Sequence, residues 1–184
     1  MAHLRPPLFL SLCLALLASS AGAAPADSFT QAPVVLVDYG VICQTTPEGR
    51  REAPETLLGE INLIRQNQDM DVTTRVIPAK AGISFGVKFL LEPGAGAQDM
   101  RVVVRHPPMG EQGLERESWF ATARDSGPSL NLFSFEYPYE LVQGPWSFSL
   151  ESEGAVLMEQ HFTVVPPEAA SGVLAVCFGQ DFVS

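Results

Sequence analysis

Apolar and polar residues alternate with a period of two along most of the chain beyond residue 33, which is typical of half-buried β-strands. Within Ser84–Glu92, for example, Phe85, Val87, Phe89 and Leu91 share one face. The strands predicted in this way are Val34–Gln44, Asp71–Ile77, Ser84–Glu92, Met100–His106, Trp119–Ala123, Leu130–Tyr137, Trp146–Glu151, Ala155–Val165 and Val173–Phe178.

The first predicted strand contains Gly40, which indicates a bulge or a close approach of another backbone segment. The strand Ala155–Val165 forms a predicted hairpin with Trp146–Glu151 across the turn 152–154, and its inward side chains are expected to be Val156, Met158, Phe162 and Val164. The apolar face of the first strand is expected to consist of Val35, Val37, Tyr39, Val41 and Cys43.

The remaining segments are interpreted as connections. Residues 45–54 and 109–117 are polar and predicted to be loops, and Pro107-Pro108 is predicted to end a strand because proline has no N–H to donate. Thr56–Gln68 fits either a strand or a short amphipathic turn, and the strand is favoured. Many short strands separated by Gly and Pro turns, without a convincing amphipathic helix, favour an all-β sandwich or barrel in one domain, residues 34–184.

The N-terminus has the pattern of a secretory signal peptide. An apolar run, Leu8–Ala18, follows the basic Arg5, and the small residues Ala21 and Ala23 predict cleavage after Ala23. The run is too short to span a bilayer of about 30 Å, so stable membrane insertion is not expected. Residues 1–23 are therefore predicted to be removed, residues 24–33 to form a flexible arm, and the protein to be periplasmic or extracellular.

Two cysteines, Cys43 and Cys177, remain after this cleavage. An even number of cysteines in an oxidising compartment predicts a disulfide between them. Two free buried thiols or a nucleophilic thiolate are the alternatives, and neither residue belongs to a CxxC pair.

The net charge of −10 changes the range of expected partners. No basic cluster is present that would neutralise phosphates, so nucleic acid and anionic lipid are not expected partners. The sequence also has no HExxH motif, no Asp-rich calcium loop, no GxSxG turn and no phosphate-binding loop. No cofactor, metal or catalytic residue is therefore assigned.

The candidate binding residues lie at predicted strand ends and loops. His106 precedes a Pro-Pro step, and Tyr137 and Tyr139 flank Pro138 shortly before Trp146. Loop aromatics can bind peptide or sugar, whereas a tryptophan at this position more often packs in the core. Carboxylates are so numerous that a pair of them carries little information; the candidates include Glu111, Glu115, Glu117, Glu136 and Glu140.

Several segments taken together resemble a known family. They are Val37–Gly40, Ile83–Gly86, His106–Pro108, Gly144–Leu150 and Gln160–Val164. In this order they are similar to an uncharacterised bacterial domain-of-unknown-function family of exported proteins. The resemblance covers approximately residues 34–165 and implies an immunoglobulin-like antiparallel β-sandwich, but it transfers no catalytic residue.

The function expected from the sequence is that of a non-catalytic binding or interaction module for an envelope protein or a small ligand, with His106, Tyr137 and Tyr139 as binding residues. This expectation rests on elimination. Two alternatives stay open: a hydrolase with an unfamiliar site around His106, and an envelope-assembly protein that uses strand addition.

The signal-peptide assignment gives a direct test. Expression of the whole chain in a host with a general secretion pathway is expected to deliver to the exported fraction a protein that begins at Ala24. Intact-mass measurement and N-terminal sequencing check this cleavage, and an exported protein that retains Leu8–Ala18 would contradict it.

Overall fold

A computed structural model describes residues 27–179 of the chain. The predicted signal peptide lies outside the described residues. The strands are β1 (Phe29–Thr30), β2 (Val34–Ile42), β3 (Gly49–Glu52), β4 (Glu60–Leu63), β5 (Val76–Pro78), β6 (Ser84–Leu91), β7 (Ala97–Met109), β8 (Leu114–Arg124), β9 (Ser129–Ser134), β10 (Gly144–Ser152) and β11 (Ala155–Val165), and they are followed by the helix α1 (Ser171–Phe178). Short 3₁₀ helices span Pro138–Glu140 and Pro167–Ala170.

The strands form two main sheets and a small hairpin. One sheet has the order β1-β11-β10-β7-β8, with β5 pairing with β11 in parallel, and the other has the order β2-β6-β9. The chain passes between the two sheets from β1 to β2, from β5 to β6, from β6 to β7, from β8 to β9 and from β9 to β10. With β2, β6, β7, β8, β9, β10 and β11 lettered A, B, C, C′, E, F and G, the sheets are A-B-E and C′-C-F-G, which is the arrangement of an immunoglobulin-like sandwich and confirms the predicted fold class.

Phe85 on β6 lies at the centre of the core between the sheets. It is fully buried, and its ring contacts aromatic rings from β9, β10, β11 and the segment after β9, at centroid distances of 5.4 to 6.2 Å. These partners are Phe133, Phe135, Trp146, Phe148 and Phe162. The alternation that predicted Phe85, Val87, Phe89 and Leu91 as one buried face is confirmed, since all four side chains are inaccessible to solvent.

The first strand is correctly located, but two of the five residues of its predicted buried face are wrong. Val35 and Val37 are exposed, and a register shift between Leu36 and Asp38 changes the phase of the alternation. The predicted close approach at Gly40 is confirmed, because a Cβ atom there would lie 2.1 Å from the Val72 carbonyl oxygen. Val156 in β11 is likewise exposed rather than inward, next to a second register shift between Leu150 and Glu151.

The final segment, Val173–Phe178, was predicted as a strand and is instead part of helix α1. A six-residue apolar run has no periodicity that separates a strand from a buried helix. Pro166 and Pro167 start a 3₁₀ turn that leads into the helix, and Gly179, with φ of 84°, follows its last residue. The helix buries Val173 and Leu174, and Val173 packs in the core.

Three predicted connections are also different in the structure. Strand β7 continues through Pro107-Pro108 to Met109, because the prolines lie where pairing with β8 is interrupted between Arg105 and Met109. The predicted loop 109–117 is a turn at Gly110–Gly113 followed by β8, and the predicted loop 45–54 contains β3. β3 pairs with β4, which confirms a strand within the ambiguous segment Thr56–Gln68.

The predicted N-terminal arm is described from Asp27 onward. Phe29 and Thr30 pair with Glu159 and Met158 at the edge of β11. This part of the arm therefore adds a short strand to the larger sheet.

The predicted disulfide is confirmed: Cys43 is bonded to Cys177, 134 residues further along the chain. It joins the residue after β2 to helix α1, not to a final strand. The bond fixes the helix beside the end of the smaller sheet. No helix in residues 27–179 is long and apolar enough to cross a membrane.

The disulfide is expected to contribute substantially to stability because it closes a long loop of the unfolded chain. Replacing both Cys43 and Cys177 by Ala should lower the free energy of unfolding by about 2–5 kcal/mol. Urea unfolding followed by tryptophan fluorescence measures this change. A reductant should lower the wild-type midpoint to that of the variant and leave the variant unchanged; equal midpoints without reductant would contradict the expectation.

Gly86 is expected to be irreplaceable because a Cβ atom there would lie 2.1 Å from the backbone oxygen of Asn131 in β9. Gly86→Ala should destabilise the fold by at least about 2 kcal/mol through this overpacking. Gly172→Ala is the matched control, since open space surrounds Gly172 in α1 and alanine favours helices. Thermal unfolding of both variants checks the pair, and equal midpoints would contradict the close approach.

Candidate functional site

A cleft of about 400 Å³ lies on the open side of the sandwich. Its walls are the edge strands of the two sheets, β8 and β9, and the hairpin of β3 and β4 covers it. A sandwich must leave an open side where two edge strands face each other without pairing. The segment between β2 and β5 is long enough to cross this side, and it turns the gap into a roofed cleft.

The hairpin segment is attached to β8 by backbone and side-chain hydrogen bonds. The Ser118 N–H donates to the Glu55 carbonyl at 3.0 Å, and the Arg51 guanidinium donates to the Phe120 carbonyl. The Glu55 carboxylate also accepts from Ser118, Arg101 and Arg116, and these bonds lower the pKa of Glu55 to about 2. Outward-facing backbone groups of β8 are thereby satisfied by the chain itself.

The same segment is attached to β9 and to the residues that follow it. The Leu130 N–H donates to the Gln66 side-chain oxygen at 2.8 Å, and the Asn62 amide donates to Glu136 at 2.8 Å. Because both walls are bonded to the roof, the cleft is a preformed feature of the fold rather than a gap between independent parts.

The walls of the cleft combine an apolar surface with ordered polar groups. Trp119 is largely buried, and its indole N–H donates to the Asn131 side-chain oxygen at 3.0 Å. The Asn131 amide in turn donates to the Ser129 hydroxyl at 3.1 Å. Leu130 and Phe133 of β9 contribute to the apolar part of the lining. The polar groups of the walls are thus held in fixed orientations.

One end of the cleft is acidic. Glu117 and Glu140 line it and are only 5% and 4% exposed, and Glu136 lies beside them. Glu117 accepts the Leu57 N–H at 2.6 Å, and Glu140 accepts the N–H groups of Glu136 and Tyr137 at 2.6 and 2.7 Å. These bonds fix one oxygen of each buried carboxylate.

Burial governs the ionisation of both groups. It raises the pKa of Glu117, against the opposing effects of the Leu57 hydrogen bond and the nearby His106. It also raises the pKa of Glu140, and the charges of Glu136 and Glu117 add to that increase. The carboxylates are therefore close enough to repel one another at this end of the cleft.

The predicted binding residues lie around this acidic end but do not line the cleft. His106 is 6% exposed and packs against Trp146, with ring centroids 4.8 Å apart. Its Nδ1 donates to the Pro107 carbonyl at 2.9 Å, while Nε2 has no hydrogen-bond partner within residues 27–179. The structure thus puts His106 in the aromatic core, behind Glu117.

Tyr137 and Tyr139 form an exposed stacked pair on the 3₁₀ turn that carries Glu140. Their rings are nearly parallel, at 4°, with centroids 5.4 Å apart. Partial burial raises the pKa of Tyr139, and the charges of Glu140 and its neighbours raise it further. The two tyrosines are therefore adjacent to the acidic end on the outer surface.

Sequence reasoning missed Glu117, Trp119 and Asn131 as components of one site. A signal for Glu117 was present, since it alternates in phase with Trp119 and Ala121 and so had to face inward with them. No local pattern indicated that the β3–β4 hairpin would cover these residues. Among the described residues, no three His, Cys, Asp or Glu side chains form a group that could hold a metal ion.

Comparison with solved structures finds similarity to an immunoglobulin-like protein from Pseudomonas aeruginosa, with 19% sequence identity and a TM-score of 0.46. The match covers 77% of this chain and 99% of that one. The immunoglobulin-like assignment rests on the strand order given above. No curated protein matches the sequence.

A family comparison is more informative. The family model described as "Domain of unknown function (DUF3859)" matches residues 31–164. This range contains β2 to β10 and all of β11 except its last residue, and so includes both sheets apart from the edge strand β1, together with the roof of the cleft. The chain therefore belongs to the DUF3859 family of domains of unknown function.

Proposed function

We propose that this protein is an exported, non-catalytic binding module that holds a ligand in the cleft between β8, β9 and the β3–β4 hairpin. The observation that carries the proposal is the lining itself. Buried Glu117, Asn131 and Glu140 face a cavity of about 400 Å³ rather than a packed interior. One oxygen of each buried carboxylate accepts no hydrogen bond from a described residue, and an unpaired buried polar group costs free energy, so a ligand that supplies a donor explains this lining better than stability alone.

The size and composition of the cleft support a small ligand over a protein surface. Cavities of roughly 300–1,000 Å³ that combine apolar surface with fixed polar groups are typical of small-molecule sites. Here Trp119, Leu130 and Phe133 supply the apolar wall, and the Asn131 amide and the carboxylates supply orientation.

Burial of His106 favours binding over the hydrolase alternative. A general base must reach a substrate proton directly or through one water molecule. His106 is covered by Trp146 and Phe133, bonds to its own backbone segment, and is not part of the cleft lining.

The state of the sheet edges weighs against strand addition on this side. An incoming strand would need free N–H and C=O groups along β8 or β9. Ser118 and Leu130 already donate their N–H groups to Glu55 and Gln66, and the Phe120 carbonyl accepts from Arg51, so an incoming strand would have to displace these bonds.

Export and the exposed tyrosines are part of the same proposal. A disulfide between Cys43 and Cys177 is stable in the periplasm or outside the cell, which agrees with the signal peptide expected at residues 1–23. Tyr137 and Tyr139, partly exposed beside the acidic end, are proposed to contact the part of a ligand or envelope partner that extends out of the cleft.

The test uses the oxidised mature chain, residues 24–184, and a library of small water-soluble fragments. With only two tryptophans in the chain, ¹⁵N NMR gives two indole signals: Trp119 reports on the cleft and Trp146 on the core. Hits should shift the Trp119 signal more than the Trp146 signal. Ala121→Phe, which fills the cleft, should weaken each hit by about tenfold or more.

Val156→Phe is the matched control, because Val156 is exposed on β11 and does not line the cleft. It should leave binding unchanged. A library that yields no Trp119 shift, or hits that are insensitive to Ala121→Phe, would overturn the proposed function.

A further inference from the structure

We propose that the acidic end of the cleft binds an organic cation, an ammonium or guanidinium group, whose apolar body lies along Trp119 and β9. This inference rests on the proposed function and names the chemical class of its ligand. It follows from the charges that line the cleft, from the hydrogen bonds that the carboxylates leave unmade, and from the apolar wall beside them.

The lining carries more negative than positive charge. Its acidic side chains are Glu60, Glu117, Glu136 and Glu140, and its basic side chain is Arg51. Glu60 is neutralised by Arg50, at 2.6 Å, and Arg51 donates to the Phe120 carbonyl, three residues along β8 from Glu117. Within residues 27–179, no Lys, Arg or His nitrogen lies within salt-bridge distance of Glu117, Glu136 or Glu140.

Each of these carboxylates has one committed oxygen and one available oxygen. Glu117 Oε1, Glu140 Oε2 and Glu136 Oε1 accept the hydrogen bonds described above. The second oxygen of each accepts no hydrogen bond from a described residue. The bonds from backbone N–H groups therefore orient the two buried carboxylates while leaving acceptors for a donor that enters the cleft.

Two other buried or partly buried charges among the described residues have a partner of opposite sign. Buried Lys88 is paired with Asp69 at 2.7 Å, and partly buried Arg101 is paired with Glu55 at 2.7 Å. Two carboxylates that are about 95% buried and lack such a partner are costly, because desolvation disfavours their charged form. A bound cation that donates to both supplies the missing partner, and charge-assisted hydrogen bonds of this kind are the strongest that side chains make.

The same observations favour an organic cation over a metal ion. The described acidic residues do not form a group of three that could hold a metal. The wall next to Glu117 is the indole of Trp119 together with Leu130 and Phe133, which suits an alkyl or aryl body rather than a hydrated ion. Ammonium and guanidinium share the required chemistry, and the test below separates them.

The test compares three probes that share one apolar body: n-hexylammonium, n-hexylguanidinium and neutral n-hexanol. Each is titrated into the ¹⁵N-labelled oxidised mature chain, and the Trp119 indole signal is followed with Trp146 as reference. At least one cationic probe should bind about tenfold or more tightly than hexanol. The tighter of the two cations identifies the preferred head group.

Variants that remove one negative charge each show which carboxylates cause the preference for a cationic probe. Glu117→Gln and Glu140→Gln keep an oxygen that can accept the backbone N–H bonds, and each should reduce the preference for the cation by about tenfold. Glu136→Gln alters an exposed side chain and is the variant least able to disturb folding. Glu168→Gln, exposed on the 3₁₀ turn before α1, removes the same charge away from the cleft and should change nothing.

The outcomes separate this inference from the proposed function. Equal binding of hexanol and the cations, all weakened by Ala121→Phe, would overturn the cation assignment and leave the binding cleft intact. If Glu168→Gln weakens cation binding as much as Glu117→Gln and Glu140→Gln do, the effect arises from net charge alone. This outcome would also overturn the assignment. If the fragment library finds no cleft ligand either, both proposals fail.

Discussion

The packing of Phe85 against aromatic rings from β9, β10 and β11 is the contact on which the rest of the structure depends. It lies where the two sheets face each other, and it sets their separation through ring-to-ring contacts of 5.4 to 6.2 Å. Gly86, the next residue, permits the close approach of the β9 backbone that brings Phe133 into the same cluster. Phe85 thus fixes the spacing of the two sheets, and the adjacent Gly86 fixes the position of the edge strand β9.

The position of β9 determines the cleft. With β9 at the edge of one sheet and β8 at the edge of the other, the sandwich has an open side whose edge groups need hydrogen-bond partners. The hairpin of β3 and β4 supplies those partners through Glu55, Arg51 and Gln66. The hairpin that covers the two sheet edges therefore also encloses a cavity, and polar residues line it.

The inward orientation of Glu117 and Glu140 at the acidic end of the cleft follows from the fold. Glu117 faces inward because it follows the alternation of β8, and Glu140 faces inward because it accepts the backbone N–H groups at the start of a 3₁₀ turn. Neither orientation requires a ligand, but together they concentrate negative charge beside an apolar wall. His106 packs in the aromatic core behind Glu117, and its burial keeps it from the cleft itself.

The features that could be predicted from the sequence are those that depend on neighbouring residues or on residue counts. The period-two alternation located most strands and the buried face of β6. The presence of only two cysteines in the expected mature chain predicted the disulfide between them. Tertiary structure decided the rest, because the competing local states were too close in energy for the pattern to separate them. The run Val173–Phe178 became a helix, the alternation in β2 changed phase at a bulge after Leu36, and β7 continued past Pro107-Pro108 where pairing is interrupted. The cleft belongs to this second group, since its residues come from β4, β8 and β9 and from the turn after β9, and only the folding of the hairpin over the two sheet edges brings them together.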